Sequence, residues 1–82
     1  MLRVLGGQAV SDLQHRARAR QNYQMAGQAL RAARRYFCVA ARLASVGHNE
    51  SALVWQLQGI DALSLALIFR WAARSERRGE VS

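Results

Sequence analysis

Apolar residues recur at helical spacing along most of the chain, with one break near Gly47. They lie three and four residues apart from Tyr23 to Ala44, and the same spacing returns between Ser51 and Arg74. Gly47 is typical of the residue that ends a helix, and Asn49 is a typical N-cap for the next one. A connection of about three residues forces two helices to be adjacent and antiparallel. The pattern predicts an all-α fold, an antiparallel hairpin of two long helices.

The predicted boundaries divide the chain into an arm, a hairpin and a tail. Residues 1–10 contain the pair Gly6 and Gly7, which breaks regular structure, so we expect a flexible arm. Residues 11–75 form the hairpin, with helix one over about 12–46 and helix two over about 50–74. Residues 76–82 lack apolar spacing that would hold them against the hairpin, and we expect a disordered tail.

Helix two is apolar on two opposed faces when it is drawn at 100° per residue. The first face comprises Leu53, Leu57, Ile60, Leu67 and Trp71, with Leu63 and Ile68 at its margins. We expect this face to close the hairpin against the apolar row of helix one. The expected hairpin core is Leu30, Phe37, Ala40, Ala44, Ile60, Leu63 and Leu67.

The second face of helix two lies roughly 180° from the first. It comprises Val54, Trp55, Ala62, Leu65, Phe69 and Ala72. A chain of 82 residues hardly covers both faces, so we expect a helical protein partner to bind the second one. The simpler alternative is that the N-terminal segment folds over it.

The chain has a formal net charge of +7, and it contains arginine but no lysine. Such a charge suits nucleic acid, an anionic membrane surface or an acidic protein, and it does not choose among them. The arginines of helix one lie opposite its apolar rows, and we interpret them first as a solvated face and second as a binding surface. This possible basic surface comprises Arg20, Arg31, Arg34, Arg35 and Arg42. The aromatic residues fall mainly in the apolar rows, which makes nucleic-acid binding the less favoured class.

The sequence shows no catalytic or metal-binding constellation. His15 and His48 are far apart, and neither is an obvious base for Cys38, which we expect to be a buried structural thiol. No Cys/His set has zinc spacing. We therefore predict a non-enzymatic protein that needs no metal or cofactor. Because no apolar run reaches the roughly 20 residues of a membrane span and no secretory signal is visible, we expect a cytoplasmic protein.

Two stretches carry a family resemblance, QALRAARRYFCVAARLASVGHNES and ALVWQLQGIDALSLALIF. They combine a helix, a Gly-containing turn followed by an acidic residue, and glutamines that lead into Ala62 and Leu63. Residues from about Ala26 to Ala73 thereby resemble the small cytoplasmic E component of type III secretion needle assembly, the YscE/PscE/EscE type. The resemblance implies a hairpin co-chaperone that binds a TPR-like chaperone and helps to keep the needle subunit soluble before export.

Small and apolar positions around the turn also resemble a single tetratricopeptide repeat. These positions are Val39, Ala40, Leu43, Gly47, Ala52 and Gly59. One such repeat cannot bury its faces alone and needs stacking neighbours, so both resemblances imply an interaction module. A self-associating homodimeric bundle and a small basic nucleic-acid-binding protein are the alternatives.

Overall fold

Two long α-helices lie side by side in the computed structural model, which describes the backbone of residues 2–81 and the side chains of residues 10–78. Helix α1 spans Leu2–Ser45, and helix α2 spans Asn49–Val81. The Cα trace measures 69 × 14 × 12 Å, the shape of a single antiparallel pair of helices. Residues 2–81 contain no strand. The predicted helical hairpin is therefore confirmed.

The turn between the helices is fixed by backbone hydrogen bonds that satisfy the end of α1. Gly47 has a φ of 87°, in the left-handed region that glycine adopts without a steric penalty. Its N–H donates to the carbonyl of Ala44 at 3.1 Å, while the N–H of His48 donates to the carbonyl of Leu43 at 2.9 Å. This pair of bonds is the Schellman motif. The carbonyl of His48 then accepts from the N–H of Ala52, so His48 occupies the N-cap position predicted for Asn49.

The helices extend further at their outer ends than the sequence pattern predicts. Helix α1 begins at Leu2 rather than near residue 12, and α2 continues to Val81 rather than ending near residue 74. The pair Gly6 and Gly7 lies inside α1. Two glycines lower the stability of a helix, but unlike proline they remove no backbone donor, so the helix can continue through them. Met1 and Ser82, at the ends of the predicted arm and tail, lie outside the described residues.

Small residues at intervals of seven form the contact between the two helices. In α1 they are Ala19, Ala26, Ala33 and Ala40, and in α2 they are Ala52, Gly59, Ala66 and Ala73, all buried. We call these eight residues the alanine seam. Members at equal distances along the chain from Val46 fall at the same level of the hairpin, so that Ala33 faces the level of Gly59. Because these side chains are small, the two backbones approach closely along their length.

Most of the predicted hairpin core is exposed, which corrects the expectation from hydrophobicity. Ile60, Leu63 and Leu67 are 48, 39 and 60% exposed, and Leu30 and Ala44 are also exposed. Of the seven residues, Ala40 is buried and Phe37 is partly buried. Leu30, Leu63 and Leu67 instead line an open groove of about 250 Å³ on one side of the hairpin.

Close approach explains why α2 turns its small residues, rather than its leucines, towards α1. The first apolar face predicted from the sequence lies roughly 130° around α2 from the alanine seam, so both cannot face α1. At Gly59 the ring of Phe37 fills the space that a side chain would occupy, since an added Cβ would lie 2.8 Å from its nearest ring atom. The seam therefore combines backbone contact with one interlocking aromatic ring.

Candidate protein-binding surface

The outer surface of α2 exposes ten large apolar side chains. They are Leu53, Val54, Trp55, Leu57, Ile60, Leu63, Leu65, Leu67, Ile68 and Trp71. All of them except Trp55, which lies nearer the contact with α1, fall within an arc of about 200° from Leu63 around the outside of the helix to Leu65. A helix packed against one neighbour buries an apolar stripe only about 100° wide. This surface therefore has room for more than one contact.

The predicted partner-binding residues divide between this surface and the hairpin contact. Val54 and Leu65 are exposed, by 56 and 49%. Phe69 and Ala72 are partly buried, and Ala62 is buried against α1. Ala62 is therefore unavailable to a partner. On the helical wheel it lies closer to the contact with α1 than to the first apolar face. The remaining residues of the second face, which we call the partner face, still form one continuous side of the hairpin.

A groove beside Trp55 gives the partner face a concave part. Tyr36, Val54, Trp55 and Gln58 line this groove, whose volume is about 360 Å³. The rings of Tyr36 and Trp55 are tilted by 42° with their centroids 5.6 Å apart, a favourable geometry for an aromatic pair. Tyr36 comes from α1, and its part in this site was not predicted. The sequence did carry a signal for this role: the apolar spacing of three and four residues places Tyr36 in the same row of helix one as Val39.

The chain matches no family model, no curated protein and no solved structure. Function is therefore inferred from the surface of the hairpin itself.

The predicted basic surface lies on α1, away from the large apolar side chains of α2. Arg20, Arg31, Arg34, Arg35 and Arg42 are all exposed, as expected for a solvated face. A second group of basic residues follows the apolar part of α2, at Arg70, Arg74, Arg77 and Arg78. The hairpin is consequently amphipathic as a whole, with arginine on the back of α1 and apolar residues on the back of α2.

Segment Asn49–Arg78 of α2 is long and apolar enough to cross a membrane, because an 18-residue window within it has a mean hydropathy of 1.5. By this measure of length and composition it differs from the sequence-based expectation of no span, which counted only uninterrupted apolar runs. The same test is passed by helices of water-soluble proteins, so it does not decide between the two environments.

Within residues 10–78, the side chains form no group of three or more His, Cys, Asp or Glu residues that could hold a metal ion. His15 and His48 lie at opposite ends of the hairpin. Cys38 is exposed, which corrects the expectation of a buried thiol, because it lies outside the alanine seam. The prediction of a non-enzymatic protein stays a prediction.

An ionic contact joins the outer parts of the two helices. Nδ1 of His15 donates to Oε2 of Glu76 at 2.5 Å, and Nη1 of Arg18 lies 3.7 Å from Oε1 of the same carboxylate. The hydrogen bond from His15 holds the pKa of Glu76 below its ordinary value of 4.5, with help from the charge of Arg18 and against the effect of partial burial. We call this contact the His15–Glu76 clasp.

We expect the clasp to make the stability of the outer turns depend on pH. A carboxyl whose pKa is lower in the folded chain contributes stability above its unfolded pKa, and this contribution is lost as the pH falls through the folded pKa. Amide exchange near His15 and Glu76 should therefore accelerate as the pH falls below about 4.5, after correction for the intrinsic exchange rate. Glu76→Gln should abolish this acceleration, whereas Glu50→Gln, at an exposed carboxyl, should preserve it. An equal acceleration in Glu76→Gln would contradict the assignment.

Proposed function

We propose that this protein is a non-enzymatic co-chaperone or adaptor subunit that binds a helical protein partner through its partner face. The observation that carries the proposal is the exposure of Val54, Trp55 and Leu65 on the partner face, within an apolar surface of α2 about twice as wide as one packed helix covers. A concave helical surface, such as that of a TPR-like chaperone, contacts an inserted helix on several sides. The groove beside Trp55 offers a place for a partner side chain.

The arginines of α1 favour a protein partner over a membrane span. Because residues equidistant from the turn lie side by side, Arg31, Arg34 and Arg35 run alongside the apolar part of α2. An intact hairpin that crossed a bilayer with α2 would place all of them at the depth of the lipid tails. The cost is at least about 2.5 kcal/mol for each arginine at the centre of a membrane helix.

The family resemblance supplies the more specific part of the proposal. In this proposal the partner is a TPR-like chaperone of type III secretion, and the complex keeps a needle subunit soluble in the cytoplasm before export. The hairpin architecture and the exposed apolar arc on α2 are compatible with that role. The arginines of α1 would then face solvent or an acidic rim of the complex.

The experiment compares three forms of the full chain as baits in a nuclease-treated extract of the source organism at about 0.3 M salt, where phosphate-driven binding is weak. The wild type should retain a TPR-repeat protein and a small needle-type subunit in fixed ratio. Leu65→Asp should lose both, because it places a charge in the apolar contact. Gln56→Asp adds the same charge on an exposed position outside the partner face, and it should retain them. Recovery of neither protein by the wild type would contradict the proposal.

A further inference from the structure

We propose that a second copy of this chain docks on the outer stripe of α2, in an antiparallel arrangement that gives a dimer of four helices. The outer stripe comprises Leu53, Leu57, Ile60, Ser64, Leu67 and Trp71. It lies roughly 130° around α2 from the alanine seam, and it is distinct from the partner face. The inference goes beyond the proposed function and does not depend on it.

The spacing of the outer stripe is that of a coiled-coil contact. Its members follow one another at intervals of four, three, four, three and four residues, which read the same in both directions along the helix. A two-fold axis near Ala62 therefore matches the stripe with itself. Leu53 then lies at the level of Trp71 in the second copy, and Leu57 lies at the level of Leu67.

Ser64 is the one polar residue of the stripe, and its hydroxyl is already satisfied. Its Oγ donates to the carbonyl of Ile60 at 3.0 Å within the same helix. Burial against a second copy would therefore leave this donor paired, without the cost of an unsatisfied polar group. Ser64 is also small, and it lies at the level of Ile60 in the second copy, so a small residue faces a large one near the axis.

The area of the stripe agrees with what a dimer needs. The chain exposes 6573 Å² of surface, whereas the relation between surface and mass gives about 4,900 Å² for a compact monomer of 9.2 kDa. Leu53, Leu57, Leu67 and Trp71 are each more than half exposed. Pairing of two stripes covers on the order of 1,200 Å², which reaches the lower limit of standard interfaces between proteins.

Charge favours the antiparallel arrangement over the parallel one. Arg74 and Arg78 lie near the outer stripe at the end of α2, and a parallel pair would place two such groups side by side. An antiparallel pair places these arginines beside the first turn of α2 in the second copy, where Glu50 lies. Asp61 lies about 80° from the centre of the stripe, at its edge, where its carboxylate stays in water.

Sedimentation of the full chain tests the dimer. At tens of micromolar, the wild type should have a mass of about 18 kDa, twice the 9.2 kDa of one chain. Leu57→Asp should raise the dissociation constant by at least about 100-fold and give a monomer, because it buries a charge in the contact. Leu65→Asp is the matched control on the partner face, and it should remain a dimer. Circular dichroism should show the same helix content in both variants.

Distances between spin labels test the orientation, in a Cys38→Ser background that removes the exposed native thiol. A label on Asn49→Cys should lie about 39 Å along the axis from its counterpart, and a label on Asp61→Cys should give a distance below about 20 Å. Short distances at both positions would overturn the antiparallel arrangement. A monomeric wild type, an assembly larger than a dimer, or a Leu57→Asp dimer would overturn the outer stripe as the site of a second copy.

These outcomes are separable from those of the proposed function. Failure of the dimer appears in the mass of the purified chain, without any partner present. Failure of the proposed function appears as the absence of a TPR-repeat protein from the bound fraction, whatever the mass of the bait.

Discussion

Ala33→Leu is expected to destabilise the hairpin by about 3 kcal/mol, the upper range for overpacking a close contact. Ala33 is 2% exposed and lies at the level of Gly59, where the ring of Phe37 already fills the free space. A leucine side chain at this level must push the two helices apart. Because the alanine seam has no large side chains that can repack, the separation weakens the neighbouring levels as well.

Thermal unfolding followed by circular dichroism measures this effect. A loss of about 3 kcal/mol corresponds to a fall in Tm of at least about 12 °C for a chain of this size. Ala41→Leu is the matched control, since Ala41 is exposed on the same helix, and it should change stability by less than about 0.5 kcal/mol. Equal melting of the two variants at equal protein concentration would show that the alanine seam does not hold the helices together.

Gly59→Ala is expected to destabilise the hairpin by about 1 kcal/mol, although alanine is the better helix former. The added Cβ would lie 2.8 to 3.0 Å from three atoms of the Phe37 ring. Such contacts force the ring out of its position, and the loss of packing outweighs the gain of about 1 kcal/mol in helix propensity. Chemical denaturation of the variant and the wild type gives the difference in free energy of unfolding.

Gly27→Ala provides the contrast, because its added Cβ would meet only Nη1 of Arg31 at 3.7 Å. This variant should gain about 1 kcal/mol, so the substitutions at Gly27 and Gly59 should differ by about 2 kcal/mol. Combining Gly59→Ala with Phe37→Ala should show a coupling of about 2 kcal/mol, since the second change removes the ring that the first one displaces. A stabilising Gly59→Ala would show that the ring moves at no cost.

The hairpin and its turn were predictable because local signals agree with one another. Apolar spacing of three and four residues marks both helices, and Gly47 marks the end of the first. The left-handed φ of Gly47 and the short connection confirm that reading. The outer ends were less predictable, since Gly6 and Gly7 suggest a break but do not prevent a helix from continuing.

The α1 row that contains Ala26, Ala33 and Ala40 was predicted, but the contacting face of α2 was not, because hydrophobicity ranks leucine above alanine. The contact forms on the faces that let the two helices approach most closely, and small residues allow the closest approach. The repeat of small residues every seven positions was visible in both helices, from Ala19 to Ala40 and from Ala52 to Ala73. That repeat, read in both helices together, was the signal for the alanine seam.

The exposure of the second face of α2 was predicted in part, and its binding of a partner stays a prediction. Val54, Trp55 and Leu65 are exposed as a partner would require, whereas Ala62 is covered by α1. The His15–Glu76 clasp joins residues 61 positions apart in the sequence, so it could only follow from the register of the two helices. Register is fixed by side-chain fit at particular levels, which the apolar spacing does not report.

The uniformity of the alanine seam means that the seam alone does not fix the register of the two helices. Each level of the seam repeats the one before it, so a shift of one helix by seven residues would exchange one small-residue contact for a very similar one. Three features oppose such a shift: the tight turn at Gly47, the Phe37 ring over Gly59, and the His15–Glu76 clasp. The register of the two helices is thus fixed by these three contacts, whereas the alanine seam holds the helices together without specifying it.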